Sequence, residues 1–213
     1  MYLPEGFRES DRSALFDLCD AYGFATLIST APEAAGLGAP DVTHLPLLVD
    51  RSGAGAPRLL GHVARVNRHW QRFDGRTPAL AIFSGPHGYV SPAWYVTTPS
   101  VPTWNYAVVH ITGVPRVLDG AATAAIIEQL VEAYERGRPG RWSAELPEDY
   151  RRAQLDAIVG FEMSIDGIEG KFKLGQNRTD ADRAGMIAGW EGSGDAASRE
   201  LAAFARAYYA RRR

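Results

Sequence analysis

A closed or partly open antiparallel β-barrel with flanking helices, mainly β within the α+β class, is the fold this sequence predicts. Three observations carry it. Apolar runs of strand length follow one another from Phe24 to Val117 with turn residues between them, not helices, which argues against a parallel, doubly wound sheet. Near Ala122 the apolar period changes to the helical one. Alternation then returns over Phe161, Met163 and Ile165, before two helical stretches close the chain.

Each element has its own signal. Ser10 or Asp11 can cap a first helix over Ser13 to Tyr22, whose Leu15, Phe16, Cys19 and Tyr22 recur at helical spacing, and Gly23 ends it. Phe24 to Ser29 reads as a buried strand, Ala31 to Pro40 as a loop, and Val42 to Val49 as a second strand. Ser52 to Pro57 is turn-like, Arg58 to Val66 is a third strand, and Asn67 to Phe73 has the length of one or two helical turns. Ala79 to Phe83 is a short fourth strand. Asn105 to Val117 is a long β segment in which Gly113 and Pro115 mark a bend or bulge.

Ala122 to Glu135 places Ile126, Ile127, Leu130, Val131 and Tyr134 on one helical face, with Gly137 where a stop belongs. A second helix runs from Pro147 through Leu155 to Ile158, and Phe161 to Leu174 forms a strand pair about a turn at Gly167 to Gly170. The last helix sets Leu201, Phe204, Ala205 and Tyr208 on one face. The expected organisation is one domain over 1–213, with a helical insertion at about 121–158 and terminal helices at about 179–213.

Composition narrows the function. A chain of 213 residues, 46% hydrophobic and 23% charged, supports one good core. The net charge of -2 excludes a chain-wide basic field, so any nucleic-acid contact needs a local patch. A lone cysteine, Cys19, excludes an intramolecular disulfide and a thiolate metal cluster, and its helical, apolar setting predicts a buried thiol. No basic, apolar, small leader pattern opens the chain and no apolar run reaches bilayer-spanning length, which predicts a cytoplasmic protein.

The most informative stretch is FSGPHGYVSPAWYVTTPSVPTWNY, Phe83 to Tyr106. Its tryptophans and tyrosines among Gly, Pro, Ser, His87 and Asn105 suit the walls of a flat, partly polar ligand, or a long loop covering one end of a β-structure. GLGAP from Gly36 and GAGAP from Gly53 lack the third glycine and the following helix of a dinucleotide loop, and read as turns. The five histidines form no metal-binding spacing, so no metal site is expected. In GHVARVN, His62 and Arg65 stand near a strand end and Asn67 at a turn; three apart, the first two point to opposite faces unless a bulge or strand end converges them, and Arg65 suits a phosphate or a solvated surface equally. In IEGKFKLGQNR, Lys171 and Lys173 share a strand face ahead of a polar turn with Gln176, Asn177 and Arg178. That arrangement clamps an anion or protects a strand edge. No catalytic constellation stands out, so any chemistry would come from a bound cofactor.

Taken in order, MYLPEGF, DVTHLPLL, LLGHVARVN, IFSGPHGYVSPAWY, VPTWNYAVVHITG and FEMSIDGIEGKFKLGQNR resemble the PaiB-type FMN-binding negative transcriptional regulators over nearly the whole chain. The resemblance implies an antiparallel FMN-binding split β-barrel, a homodimer with its cofactor sites at the subunit interface. It places the FMN phosphate at His62, Arg65 and Asn67, and Trp104, Asn105 and Tyr106 beside the isoalloxazine. Lys171, Lys173, Gln176 and Asn177 complete the site, from the same or the partner subunit. Repression of transcription goes with the resemblance, yet the sequence shows no helix-turn-helix or other DNA-reading element. A small FMN-dependent oxidoreductase and a haem-binding split-barrel protein are the alternative readings.

Overall fold

The computed structural model describes residues 1–30, 39–52, 55–140, 142 and 145–212. Most of the expected Ala31 to Pro40 loop, the first residues of both glycine-rich turns and Arg213 lie outside the described residues. The elements are β1 (Arg8–Glu9), α1 (Arg12–Ala21), β2 (Phe24–Ser29), β3 (Asp41–Pro46), β4 (Leu48–Asp50), β5 (Arg58–Ala64), β6 (Ala79–Val90), β7 (Thr103–Gly113) and β8 (Pro115–Val117). There follow α2 (Gly120–Glu135), α3 (Glu148–Asp156), β9 (Ile158–Ser164), β10 (Gly167–Lys173), α4 (Asp180–Gly192) and α5 (Ala196–Ala210).

The chain forms two compact units: Met1–Ala21, Ser84–His110 and Glu169–Arg213 make the first, and Tyr22–Phe83 with Ile111–Ile168 make the second. Strands β6, β7 and β10 run from one unit into the other.

In the first unit the strand order is β1-β10-β7-β6. Leu15, Leu18 and Cys19 of α1, Ala107 and Val109 of β7, and Met186, Trp190 and Leu201 of α4 and α5 are buried. Strand β6 differs from expectation: it continues to Val90, so the first part of the aromatic stretch is strand and not loop. The glycines of this strand meet close neighbours. A Cβ at Gly85 would lie 3.0 Å from Leu18 and 3.1 Å from the Ala107 carbonyl, and one at Gly88 would lie 3.0 Å from Leu201. Glycine inside a strand here marks close approach of neighbouring elements. The indole of Trp190 adds a tie, its Nε1 donating to the Tyr89 carbonyl at 2.9 Å.

In the second unit one sheet has the order β6-β2-β3, with Thr26 opposite Ile82 on one side and His44 on the other, and the second has the order β4-β5-β9-β8. The expected Val42 to Val49 strand is broken in two. Leu47 is buried and its N–H donates to Gly23, so β3 and β4 enter different sheets. The Gly113 to Pro115 bend is likewise a break between β7 and β8, at a glycine whose Cβ would fall 1.7 Å from the Ser164 carbonyl. The expected strand pair at 161–174 does not form, because β9 pairs with β5 and β8 whereas β10 neighbours β1 and β7. Helix α2 starts two residues ahead of the expected Ala122, capped by the Asp119 carboxylate, which accepts from Ala122 N–H at 2.8 Å. It buries Ile126 and Leu130 against Leu60. A Cβ at Gly160 of β9 would lie 2.5 Å from Thr123 of α2.

In the first unit a short turn at Pro92–Trp94 lies against α4. Gly185 and Gly189 face it: a Cβ at Gly185 would lie 2.1 Å from the Trp94 carbonyl, and one at Gly189 would lie 2.3 Å from the Trp94 ring. Gly189→Ala therefore has to displace an indole, and we expect a loss of about 1–3 kcal/mol in chemical denaturation despite the better helix propensity of alanine. An unchanged or raised midpoint would show that the ring is loosely held.

Candidate functional site

Strand β7 divides its side chains by parity. Asn105, Ala107, Val109 and Ile111 are buried, whereas Trp104, Tyr106, Val108 and His110 lie on a partly open face. Trp104 is 55% exposed, its ring 6.2 Å from that of Tyr89 and 6.3 Å from that of His87, both exposed on β6. On β10, Lys171 and Lys173 share one face, as their spacing predicts. Lys171 is buried, its Nζ donating to the Tyr2 carbonyl at 3.0 Å and lying 5.0 and 5.4 Å from the rings of Tyr2 and Tyr106. Lys173 Nζ donates to Thr103 Oγ1 at 2.5 Å and the Trp104 carbonyl at 2.6 Å. Its pKa is lowered by burial first, then by the charges of Lys171 and Arg178.

Arg178 belongs with this set and was not among the expected cofactor residues. Its guanidinium stacks 4.2 Å from the centre of the Tyr95 ring and donates to Ser100 Oγ at 3.2 Å. The basic character of the Gln176 to Arg178 turn was the available signal. Elsewhere in the unit, Arg183, Arg206 and Arg212 pair with Asp180, Glu191 and Glu9. Lys171, Lys173 and Arg178 have no carboxylate partner among the described residues. Three cations without carboxylate partners among the described residues, in a unit that also exposes the Trp104 indole, have a chemistry suited to an anion carrying a flat ring.

Other residues of the aromatic stretch and basic turn are structural. Tyr95 is buried beneath Arg178, and Trp94 fills the glycine groove of α4. Asn105 lies on the side of β7 opposite Trp104 and Tyr106, buried, with Nδ2 directed at Met186 Sδ at 3.0 Å. Gln176 closes its own turn: Oε1 accepts from Leu174 N–H at 2.8 Å, and Nε2 donates to the Phe172 carbonyl and to Tyr208 Oη. Asn177 is exposed. A buried carboxylate, Asp182, was missed although Thr179-x-x-Asp182 has a capping-box spacing. It accepts the N–H groups of Val96 and Thr97 at 2.8 and 2.9 Å, and these bonds, with Thr97 the stronger, lower its pKa.

The second unit holds the GHVARVN residues. His62 on β5 has a buried Nδ1 without a partner among the described residues, and burial lowers its pKa. Arg65 is exposed, but its Nε and Nη2 already donate to the carbonyls of Asp156 and Ile158 at 2.6 and 2.8 Å. It ties the end of α3 to the start of β9. Asn67 caps the 3-10 turn Arg68–Arg72: Oδ1 accepts from His69 N–H, and Nδ2 donates to Thr43 Oγ1. Thr43 Oγ1 is also 2.8 Å from Nδ1 of the buried His69. Within the first unit, then, the structure brings together Trp104, Tyr106, Lys171 and Lys173 and adds Arg178. Within the second, Asn67 is joined to Thr43 and His69 instead of to Arg65.

These strands and this face define a class. Two solved structures share the fold: the FAD and heme binding protein from Mycobacterium smegmatis (TM-score 0.59, 19% identity, 83% of this chain and 78% of that one) and the flavocytochrome Anf3 from Azotobacter vinelandii (TM-score 0.60, 16% identity, 84% and 75%). The fold is the antiparallel split barrel. Residues 1–167 match the family described as "Putative FMN-binding domain", and the chain belongs to that family. It is 32% identical over 189 residues to the protease synthase and sporulation protein PAI 2 of Bacillus subtilis, covering 88% of this chain and 87% of that protein. An uncharacterized protein of Emericella nidulans is 31% identical over 197 residues, covering 75% and 78%. The resemblance to the PaiB-type family holds. Among the described residues no helix is long and apolar enough to cross a membrane, and no group of three or more His, Cys, Asp or Glu could hold a metal.

Burial lowers the pKa of both His62 and His69. The unfolded chain therefore takes up protons first as pH falls, so the stability these residues contribute is complete above about pH 6.5 and is lost below it. We expect the denaturation midpoint to fall between pH 7.5 and 5.5, and His69→Gln to flatten the decline. A pH-independent midpoint over that range would show that neither imidazole is held neutral.

Proposed function

We propose that this chain is an FMN-binding regulatory protein of the PaiB type, cytoplasmic and homodimeric, and that the first unit's open face receives the flavin. The isoalloxazine lies against Trp104 and Tyr106, and the phosphate is met by Lys171, Lys173 and Arg178. The observation that carries this reading is the set of three cations without carboxylate partners beside a 55% exposed indole. A dianion relieves their mutual repulsion, and the ring gains an aromatic surface. Bound FMN would supply a redox centre; the protein's part is to hold and orient it. The regulatory role rests on the family and on its relative PAI 2.

The phosphate has a second possible cradle in His62, Arg65 and Asn67, which the resemblance favours. In that cradle Asn67 is engaged with Thr43 and His69 instead of standing with Arg65, which supports the first set.

Titration of the purified protein with FMN, followed by flavin fluorescence, tests this reading. Lys173→Ala combined with Arg178→Ala should weaken binding at least tenfold, about 1.4 kcal/mol. Trp104→Ala should change the spectrum of the bound flavin. Arg65→Ala should leave the affinity within about twofold while costing about 1 kcal/mol of stability, from its two lost hydrogen bonds. Loss of affinity in Arg65→Ala alone would move the phosphate to the second unit. A haem spectrum in the purified protein, or no FMN binding at all, would overturn the flavin reading.

A further inference from the structure

Of the 23 Lys and Arg residues in this chain, two are lysine, Lys171 and Lys173, which share one face of β10; arginine stands at every other such position. Chemistry divides the two residue types. A guanidinium keeps its proton and acts as a cation, whereas an amine that gives up its proton becomes a nucleophile.

The two lysines have different surroundings. Lys171 is buried, its Nζ on the Tyr2 carbonyl at 3.0 Å with the rings of Tyr2 and Tyr106 at 5.0 and 5.4 Å. A carbonyl and two aromatic faces favour its ammonium form. Lys173 is half-buried, its Nζ 2.5 Å from Thr103 Oγ1 and 2.6 Å from the Trp104 carbonyl. No carboxylate pairs with it among the described residues. An ammonium has three N–H groups to place, and the described residues accept two. A neutral amine has two N–H groups; the same acceptors take both, and the nitrogen lone pair is left pointing away from them. Burial, then the charges of Lys171 and Arg178, lower the Lys173 pKa, which favours the same neutral form.

Arg178 supplies an anchor beside this amine. It donates to Ser100 Oγ at 3.2 Å and stacks on Tyr95, whereas Lys173 is held at Thr103 and Trp104 of the same stretch. Its planar fork suits a carboxylate or a phosphate, and no carboxylate of the described residues occupies it. Trp104, whose carbonyl accepts from Lys173, also carries the 55% exposed indole.

We propose that Lys173 captures small anionic aldehydes covalently and reversibly, the anion resting on Arg178 while the amine lone pair attacks the carbonyl carbon. The C–N bond forms as the carbonyl π pair moves to oxygen. A proton passes from nitrogen to that oxygen, and loss of water leaves an imine. No oxidant or reductant enters, and addition of water reverses the step. The ligand class is a flat aldehyde bearing a carboxylate or phosphate. The cations are those assigned to the flavin phosphate, but the step needs no flavin, so the two readings fail separately.

The probe is 4-formylbenzoate, incubated with the intact protein without flavin and trapped by cyanoborohydride, whose hydride reduces the imine to a stable secondary amine. Peptide mass mapping then identifies the modified amine among the two lysines and the α-amino group. Lys173 should react about tenfold faster than the same residue in chain unfolded by guanidinium chloride, whereas Lys171 should react more slowly folded than unfolded. Benzaldehyde, which lacks the carboxylate, should label Lys173 about tenfold more slowly, and Arg178→Ala should remove most of that difference. Lys173→Arg, which keeps the charge, should abolish the label at this position with an unchanged circular dichroism spectrum. Folded Lys173 reacting no faster than unfolded, or label falling mainly on Lys171, would overturn the proposal. Equal rates for the two aldehydes in the wild type would overturn the anion anchor. Both readings come from the wild-type protein, so they hold whether or not the variants fold.

Discussion

Between Thr103 and Gly113 the backbone of β7 sends alternate side chains to opposite sides, and the first unit depends on that division. On one side Asn105, Ala107 and Val109 are sealed against the helical layer, where glycines at positions 85 and 88 permit close packing. On the other, Trp104, Tyr106 and His110 stay partly open; the Tyr106 ring lies 5.4 Å from Lys171 Nζ, and the Trp104 carbonyl accepts from Lys173. A one-residue slip would put an indole and a phenol into the core and bring Ala107 and Val109 to the surface. Register is therefore the condition both for the core and for the candidate site.

The cations on that face are electrostatically unfavourable by themselves. Lys171 is removed from water with only a carbonyl and two rings to receive it, and Lys173 holds its proton less firmly because of burial and its neighbours. Proteins usually answer such an arrangement with a carboxylate, as this one does for Arg206 and Arg212. None stands beside Lys171, Lys173 and Arg178 among the described residues, and under the proposed function the flavin phosphate takes that place.

Much of this was legible in the sequence, and the failures have physical causes. The helices were readable from their apolar period: α2 runs over Gly120–Glu135 where Ala122 to Glu135 was expected, and its buried Ile126 and Leu130 were on the expected face. Strand β2 matched its apolar run residue for residue. The continuation of β6 was missed because Gly85 and Gly88 look like turn signals, whereas their role is set by Leu18 and Leu201, far away in sequence. The break at Leu47 was invisible, and the one at Val114 was seen only as a bend within one strand, for a similar reason: an apolar run says that residues are buried, not which sheet buries them. Of the candidate site, the two lysines were found by parity and Trp104 by composition. Arg178 was seen only as part of a basic turn, since its stacking on Tyr95 depends on how the 91–102 segment returns. Asn105, Gln176 and Asn67 illustrate the reverse case, polar residues whose local structural duties no spacing rule reveals.

The carboxylate of Asp182 has a wider consequence. By accepting from Val96 and Thr97 it occupies two adjacent backbone amides that could otherwise have formed a ready-made pocket for a phosphate. The protein's own acid already fills that cradle. An anion drawn to Lys171, Lys173 and Arg178 would instead meet side-chain cations, whose pull fades over about 8 Å at physiological ionic strength. Capture of such a ligand becomes a two-part process: charge governs how fast it arrives and responds to salt, while the aromatic surface governs how long it stays and does not.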